Sequence, residues 1–155
     1  MPALIKGDAI IDDVWHFPVS GETPPEEHAV CNLDDWLEAS MPPVSGIQLY
    51  SGDSCVPLYD YLDSLALIAV YFSVFTDGRG FSIARELRDR GYSGELRARG
   101  HILPDQMHFL RRCGFDAFQP EEDARLQASL ERLKQFTEGY QASIDQPTPL
   151  FRRRA

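Results

Sequence analysis

The side chains best placed for chemistry fall between Thr76 and Ser82. There Thr76-Asp77-Gly78-Arg79-Gly80-Phe81-Ser82 joins an apolar run, Leu67 to Phe75, to a helical pattern from Ser82 to about Arg90. A helix N-terminus offers free amides and partial positive charge to an anion. Arg79 would add a cation of fixed fork geometry. Phosphate, sulfate, sulfite or carboxylate suits such a loop, with Thr76, Asp77, Arg79 and Ser82 as its lining. The structural alternative is that Asp77 and Ser82 cap the turn while Arg79 pairs with a nearby acid. No Gly-Lys-Ser or Gly-Lys-Thr follows, and only Gly78-x-Gly80 is present of the dinucleotide fingerprint, so the pattern does not point to a nucleotide.

A second stretch carries unusual charge. Between Glu95 and Ile102, Leu96, Ala98, Gly100 and Ile102 fall on one face of a strand, with Glu95, Arg97, Arg99 and His101 on the other. Three readings stand. The charge guards an edge strand against aggregation, Arg97, Arg99 and His101 line a site, or the strand is a docking edge. His101 is a residue type that can serve as acid or base, or it simply ends the strand. The catalytic candidates are therefore Asp77, Arg79 and His101. The anion-binding candidates are Thr76, Asp77, Arg79, Ser82, Arg97, Arg99, Asp105 and Gln106.

The elements that position these residues alternate. Leu4-Ile5 and Ile10-Ile11 flank Lys6-Gly7-Asp8 and predict a short hairpin. Residues 16–29 read as a surface loop. Asn32 or Asp34 starts a short helix with Trp36 and Leu37, ended by Met41-Pro42-Pro43. Gly46 to Tyr50 is a strand, followed by the central strand and helix. A strand then runs from Glu95 to Ile102, a helix from Pro104 to Gly114, a short strand from Phe115 to Phe118, and a last helix from Pro120 up to Gly139. That helix turns Leu126, Leu130, Leu133 and Phe136 or Thr137 inward. The fold class is α/β: a single domain of repeated βα units on a mainly parallel sheet, open or curved into a partial barrel, with an N-terminal hairpin. Residues 1–140 make the domain and 141–155, ending in arginines, a flexible tail. In such folds ligands sit beyond the carboxyl ends of the strands. That edge gathers Asp53, Ser54, the Thr76–Ser82 loop, His101, Asp105, Gln106, Gln119 and Glu121.

Composition narrows the function. The chain has 155 residues and a formal charge of −9, which argues against nucleic acid and favours solubility or contact with a basic protein partner. No run of about twenty apolar residues predicts a membrane span. The start lacks a signal-peptide pattern, and the cytoplasm is the expected location. Cys31, Cys55 and Cys113 are odd in number and widely spaced, against a disulfide framework or a metal site. Cys113 reads as core. Cys55, in Gly52-Asp53-Ser54-Cys55, is the better candidate for a reactive thiol. Trp15 and Trp36 read as core anchors. No cofactor motif is recognisable.

A resemblance adds to this. Phe75-Thr76-Asp77-Gly78-Arg79-Gly80-Phe81-Ser82, Ala84-Arg85-x-Leu87-Arg88, Gly91-Tyr92-x-Gly94-Glu95-Leu96-Arg97-Ala98, Asp105-Gln106 and Arg112-Cys113-Gly114-Phe115-Asp116-Ala117-Phe118 together resemble the bacterial domain-of-unknown-function family 934. Asp13-x-Trp15 and Trp36-Leu37 resemble its weaker N-terminal pattern. At Gly100-His101 the chain departs from the family, which usually has an acidic residue there. Members are commonly labelled as oxidoreductases of sulfite reduction, from genes beside those of sulfite reductase and the sulfonucleotide reductase. The resemblance thus implies an accessory protein or oxidoreductase component of assimilatory sulfite reduction, with sulfite reductase as partner. The alternatives are a small oxyanion-binding enzyme using the Asp77/Arg79 loop, or a non-catalytic module that oligomerises through its sheet edge.

Overall fold

Parallel strands in chain order, each beside the next, decide the architecture. The computed structural model describes residues 2–19, 28–136 and 138–153. These hold one sheet of β1 (Ala3–Lys6), β2 (Ala9–Asp12), β3 (Val30–Asn32), β4 (Gly46–Tyr50), β5 (Leu67–Phe72), β6 (Glu95–Gly100) and β7 (Ala117–Pro120). The order across the sheet is β2-β1-β7-β6-β5-β4-β3. Strands β3 to β7 are parallel, and β1 pairs antiparallel with both β7 and β2. The expected mainly parallel sheet and N-terminal hairpin are both present. The sheet is open, with β2 and β3 at its edges.

The helices are α1 (Leu33–Glu38), α2 (Arg79–Asp89), α3 (Met107–Cys113), α4 (Leu126–Gln135) and the short α5 (Leu150–Arg153). A 3₁₀ segment, Val56–Ser64, links β4 to β5. Right-handed crossovers that always step in the same direction deliver their helices to one face of the sheet. The core lies there. Ile47, Leu49, Ile68, Val70, Phe72, Leu96, Ala98 and Phe118 meet Ile83, Ala84, Leu87, Met107, Leu110, Leu130 and Leu133.

The other face is different. Register aligns Gln48, Ala69, Arg97 and Ala117 in one row, and Tyr50, Tyr71, Arg99 and Gln119 in the next. The chain after β2 crosses this face. The Asp13 N–H bonds to the Pro2 carbonyl, the Trp15 ring lies against Gly46, and His16 pairs with Ala29 in a parallel bridge. Residues 13–17 thus form a strap over the sheet.

Several expectations need correction. Strand β6 lies at the centre of the sheet, so its charged face does not guard an edge, and no exposed edge runs near Arg97. Helix α2 begins at Arg79 rather than Ser82, and Ser82 is exposed in its first turn without a capping bond. Strand β7 starts at Ala117, because Phe115 and Asp116 finish the turn out of α3. Strand β3 and the 3₁₀ segment lie outside the elements expected from the sequence. Phe136 is exposed rather than inward, and Thr137 lies outside the described residues. Trp36 is buried and donates its indole N–H to the Pro42 carbonyl at 2.8 Å.

Residues 138–153 pack back on the domain. Ser143 donates to the Arg112 carbonyl, Asp145 pairs with Arg112, and Ile144 approaches Gly114. Among the described residues no helix is long and apolar enough to cross a membrane.

The contact of α2 with β5 generates a test. A Cβ on Gly80 would lie 2.5 Å from Phe72 Cζ, 2.7 Å from Phe72 Cε1 and 3.1 Å from Val70 Cγ1. Phe72 is buried and cannot swing away. Gly→Ala in an open helix stabilises by about 1 kcal/mol. Here overpacking reverses the sign, and Gly80→Ala destabilises by about 1–3 kcal/mol in urea unfolding. An unchanged or raised midpoint would contradict this packing.

Candidate functional site

Two arginines on β6 share the strapped face and have opposite situations. Arg97 is 1% exposed, and Asp13 is 3% exposed. Arg97 Nη1 donates to Asp13 Oδ2 at 2.7 Å, and Nε donates to Glu95 Oε1 at 2.8 Å. Gln119 lies between, accepting from Arg97 at 3.3 Å and donating to Asp13 at 3.0 Å. Glu95 also pairs with Lys6 at 2.7 Å, which ties β1 to the same cluster. Arg97 is therefore saturated by carboxylates and closed to a ligand.

Arg99 has no such compensation. Its Nε donates to Gln119 Oε1 at 2.9 Å, and its Nη1 donates to the Gln48 side-chain oxygen. Both acceptors are neutral amides. Phe17 covers one face of the guanidinium, 3.4 Å from ring centroid to Cζ. Among the described residues, no carboxylate pairs with Arg99 and its Nη2 has no acceptor. Burial pulls its pKa down to about 10, Arg97 adds to that, and Asp13 with the two tyrosines opposes it. The group stays cationic at neutral pH. It is a partly buried cation short of an anion.

The surroundings are the carboxyl ends of β4 to β7. Tyr71 lies beside Arg99, its ring centroid 5.9 Å from the guanidinium carbon, and meets Tyr50 edge-on at 5.7 Å. Burial and the Glu121 carboxylate push the Tyr71 phenol up, while Arg99 opposes them. His101 Nε2 and Glu121 Oε2 are 2.8 Å apart at the same edge, both half-exposed. This dyad can exchange a proton with a neighbour. Gly100, with φ +89°, must be glycine, since the left-handed backbone disfavours other residues and a Cβ there would meet the Phe72 carbonyl at 2.7 Å.

The Thr76–Ser82 loop is arranged otherwise. Asp77 and Arg79 face each other in a bidentate pair, Nε to Oδ1 at 2.9 Å and Nη2 to Oδ2 at 2.7 Å, and the Arg79 N–H also bonds to Oδ1. The Arg79 side chain is 71% exposed and lies against Gly52. Thr76, Ser82 and Asp105 are exposed. Gln106 is a tie between loops, accepting from the Leu103 N–H at 3.0 Å and donating to the Phe75 carbonyl at 2.8 Å. Of the anticipated residues, the structure thus sets Arg99 and His101 on one edge and leaves Arg97 sealed beneath the strap.

Residues that the sequence does not mark as a site complete the face: Asp13 and Phe17 from the strap, with Gln48, Tyr50 and Tyr71 from β4 and β5. A signal existed. A charged face on a buried strand requires partners at matching register on its neighbours, and Gln48 interrupts an apolar strand. Cys55 is buried against Tyr59, and burial with the Glu86 charge raises its thiol pKa, the reverse of a reactive cysteine. All three cysteines are free thiols. Among the described residues no group of three or more His, Cys, Asp or Glu side chains is arranged to hold a metal ion.

Comparison with known proteins follows the same lines. A family model described as a bacterial protein of unknown function (DUF934) matches residues 46–151. No curated protein matches the chain.

The Asp77–Arg79 pair can be checked directly. The guanidinium bonds and the Arg79 N–H hold the Asp77 carboxyl down to about 2. Because its folded pKa is depressed, the pair's contribution is present above the unfolded value and is lost as pH falls through the folded one. Carbon-13 NMR of the side-chain carboxyl should give a midpoint near that value. In Arg79→Ala it should return toward the ordinary value of about 3.9. An ordinary midpoint in the wild type would mean that the pair does not form.

Proposed function

The chain belongs to that bacterial family of unknown function, and we propose that it is an accessory protein of assimilatory sulfite reduction in the cytoplasm, holding a small oxyanion on Arg99 beside sulfite reductase. One observation carries the oxyanion part: a half-buried guanidinium whose hydrogen-bond acceptors are neutral amides, with Nη2 open among the described residues. Sulfite or sulfate at Nη2 would supply both the acceptor and the negative charge. Phe17 and the tyrosines lower the local dielectric and strengthen that bond. The link to sulfite reduction rests on the family resemblance. The formal charge of −9 supports docking on a basic surface of the reductase.

The Asp77/Arg79 loop is the weaker alternative, since an anion there competes with an internal carboxylate. A second reading, an oxidoreductase or other enzyme acting on the oxyanion, is favoured by the His101–Glu121 dyad, which can deliver a proton at the same edge.

Calorimetric titration with sulfite, sulfate and phosphate tests the reading. Saturable binding is expected, weakened by about 2 kcal/mol or roughly thirtyfold in Arg99→Gln, as for loss of one charge-assisted hydrogen bond. Arg79→Ala should bind like the wild type. Immobilised protein should retain sulfite reductase. An Arg99→Gln variant with wild-type affinity, or no oxyanion binding at all, would refute the assignment to Arg99.

A further inference from the structure

A cavity between α3, the end of α4 and residues 138–153 lies on the helix face of the sheet, apart from Arg99. Its volume is about 570 Å³, within the range of small-molecule sites. Leu133 and Phe136 provide apolar wall, and Arg111 and Lys134 provide cations. Two carboxylates also line it, Asp8 of the β1–β2 turn and Asp145. Asp145 is already balanced by Arg112, 3.4 Å away. Arg111 donates to the Phe136 carbonyl at 3.2 Å. Among the described residues neither Arg111 nor Lys134 pairs with a carboxylate. The cavity thus keeps one positive charge in excess, in a chain whose formal charge is −9.

His108 adds an independent observation. It lines the same cavity, its ring tilted against Phe136 with centroids 5.3 Å apart. Its Nδ1 is buried with no hydrogen-bond partner among the described residues. Buried polar atoms are almost always partnered, and leaving one bare is costly. Burial and the charges of Arg111 and Arg112 hold its pKa below the usual histidine value, so the ring is neutral at pH 7 and can accept or donate one bond.

We propose that this cavity binds a small organic anion, with its charged head against Arg111 and Lys134 and a flat apolar body on Leu133 and Phe136. The ligand class differs from a bare oxyanion. The apolar wall favours a molecule with a ring or short hydrocarbon, and the cations favour a phosphate, sulfonate or carboxylate.

The test uses 1-naphthyl phosphate as probe on the full chain, with inorganic phosphate and 1-naphthol as its separate halves. In the Arg99→Gln background, which removes the oxyanion site above, calorimetry should show one saturable site, about tenfold tighter for the intact probe than for either half. Lys134 is exposed on α4, so Lys134→Gln folds normally. It should weaken binding about tenfold, as should Arg111→Gln. The His108 ring-nitrogen resonances should move during the titration. Arg99→Gln should bind the probe like the wild type, which separates this site from the oxyanion site above. No saturable binding, or undiminished affinity in Lys134→Gln, would overturn the proposal. So would 1-naphthol bound as tightly as its phosphate, since the cations would then be irrelevant.

Discussion

A buried guanidinium at the middle of the sheet sets the constraint on which the rest depends. Arg97 stands on the central strand, and transfer of such a charge out of water costs several kcal/mol unless it is paired. Asp13 and Glu95 provide the pairing. Glu95 sits on the same strand, but Asp13 must be brought from the N-terminal segment. That requirement draws the chain after β2 across the sheet and lays Trp15 on Gly46 and Phe17 on Arg99. Lys6 reaches the same Glu95, so the hairpin is tied in as well. Buried ion pairs add little net stability, yet breaking one is expensive, so their effect is to select one arrangement of the strap.

Single winding makes such a device necessary. With the crossovers stepping in one direction, the helices cover one face and bury its aliphatic side chains. The opposite face has only the strap and its own side chains for cover. Its inner row is sealed around Arg97, and its outer row, at the carboxyl ends, leaves Arg99 among amides and aromatic rings. Two arginines spaced by one residue on a strand thus take different roles, because one meets carboxylates at its register and the other meets glutamines.

Much of this was legible in the sequence, for physical reasons. The run around Ile68 is apolar on both faces because helices cover one side, and the strap with the side chains of adjacent strands covers the other. Gly46–Tyr50 and the hairpin have sharp turn signals at their ends. The misleading element was β6. Alternating charge usually marks an exposed strand, and nothing local in Glu95-Leu96-Arg97-Ala98-Arg99 says that its partners lie far away at Asp13, Gln48 and Gln119. The loop at Asp77 and Arg79 was legible only as two alternatives. Pairing was the outcome, since two residues two positions apart satisfy each other at little entropic cost. Strand β3 escaped because three residues carry too little periodicity to register.

The most direct measurement is a double-mutant cycle of Asp13→Ala and Arg97→Met, read by urea unfolding. Each single change should cost about 3–5 kcal/mol, because it leaves a buried charge without its partner. The double variant should recover about 2–3 kcal/mol of that sum as coupling. Costs that add to within about 0.5 kcal/mol would mean that the two groups act independently and that the strap is held by something else.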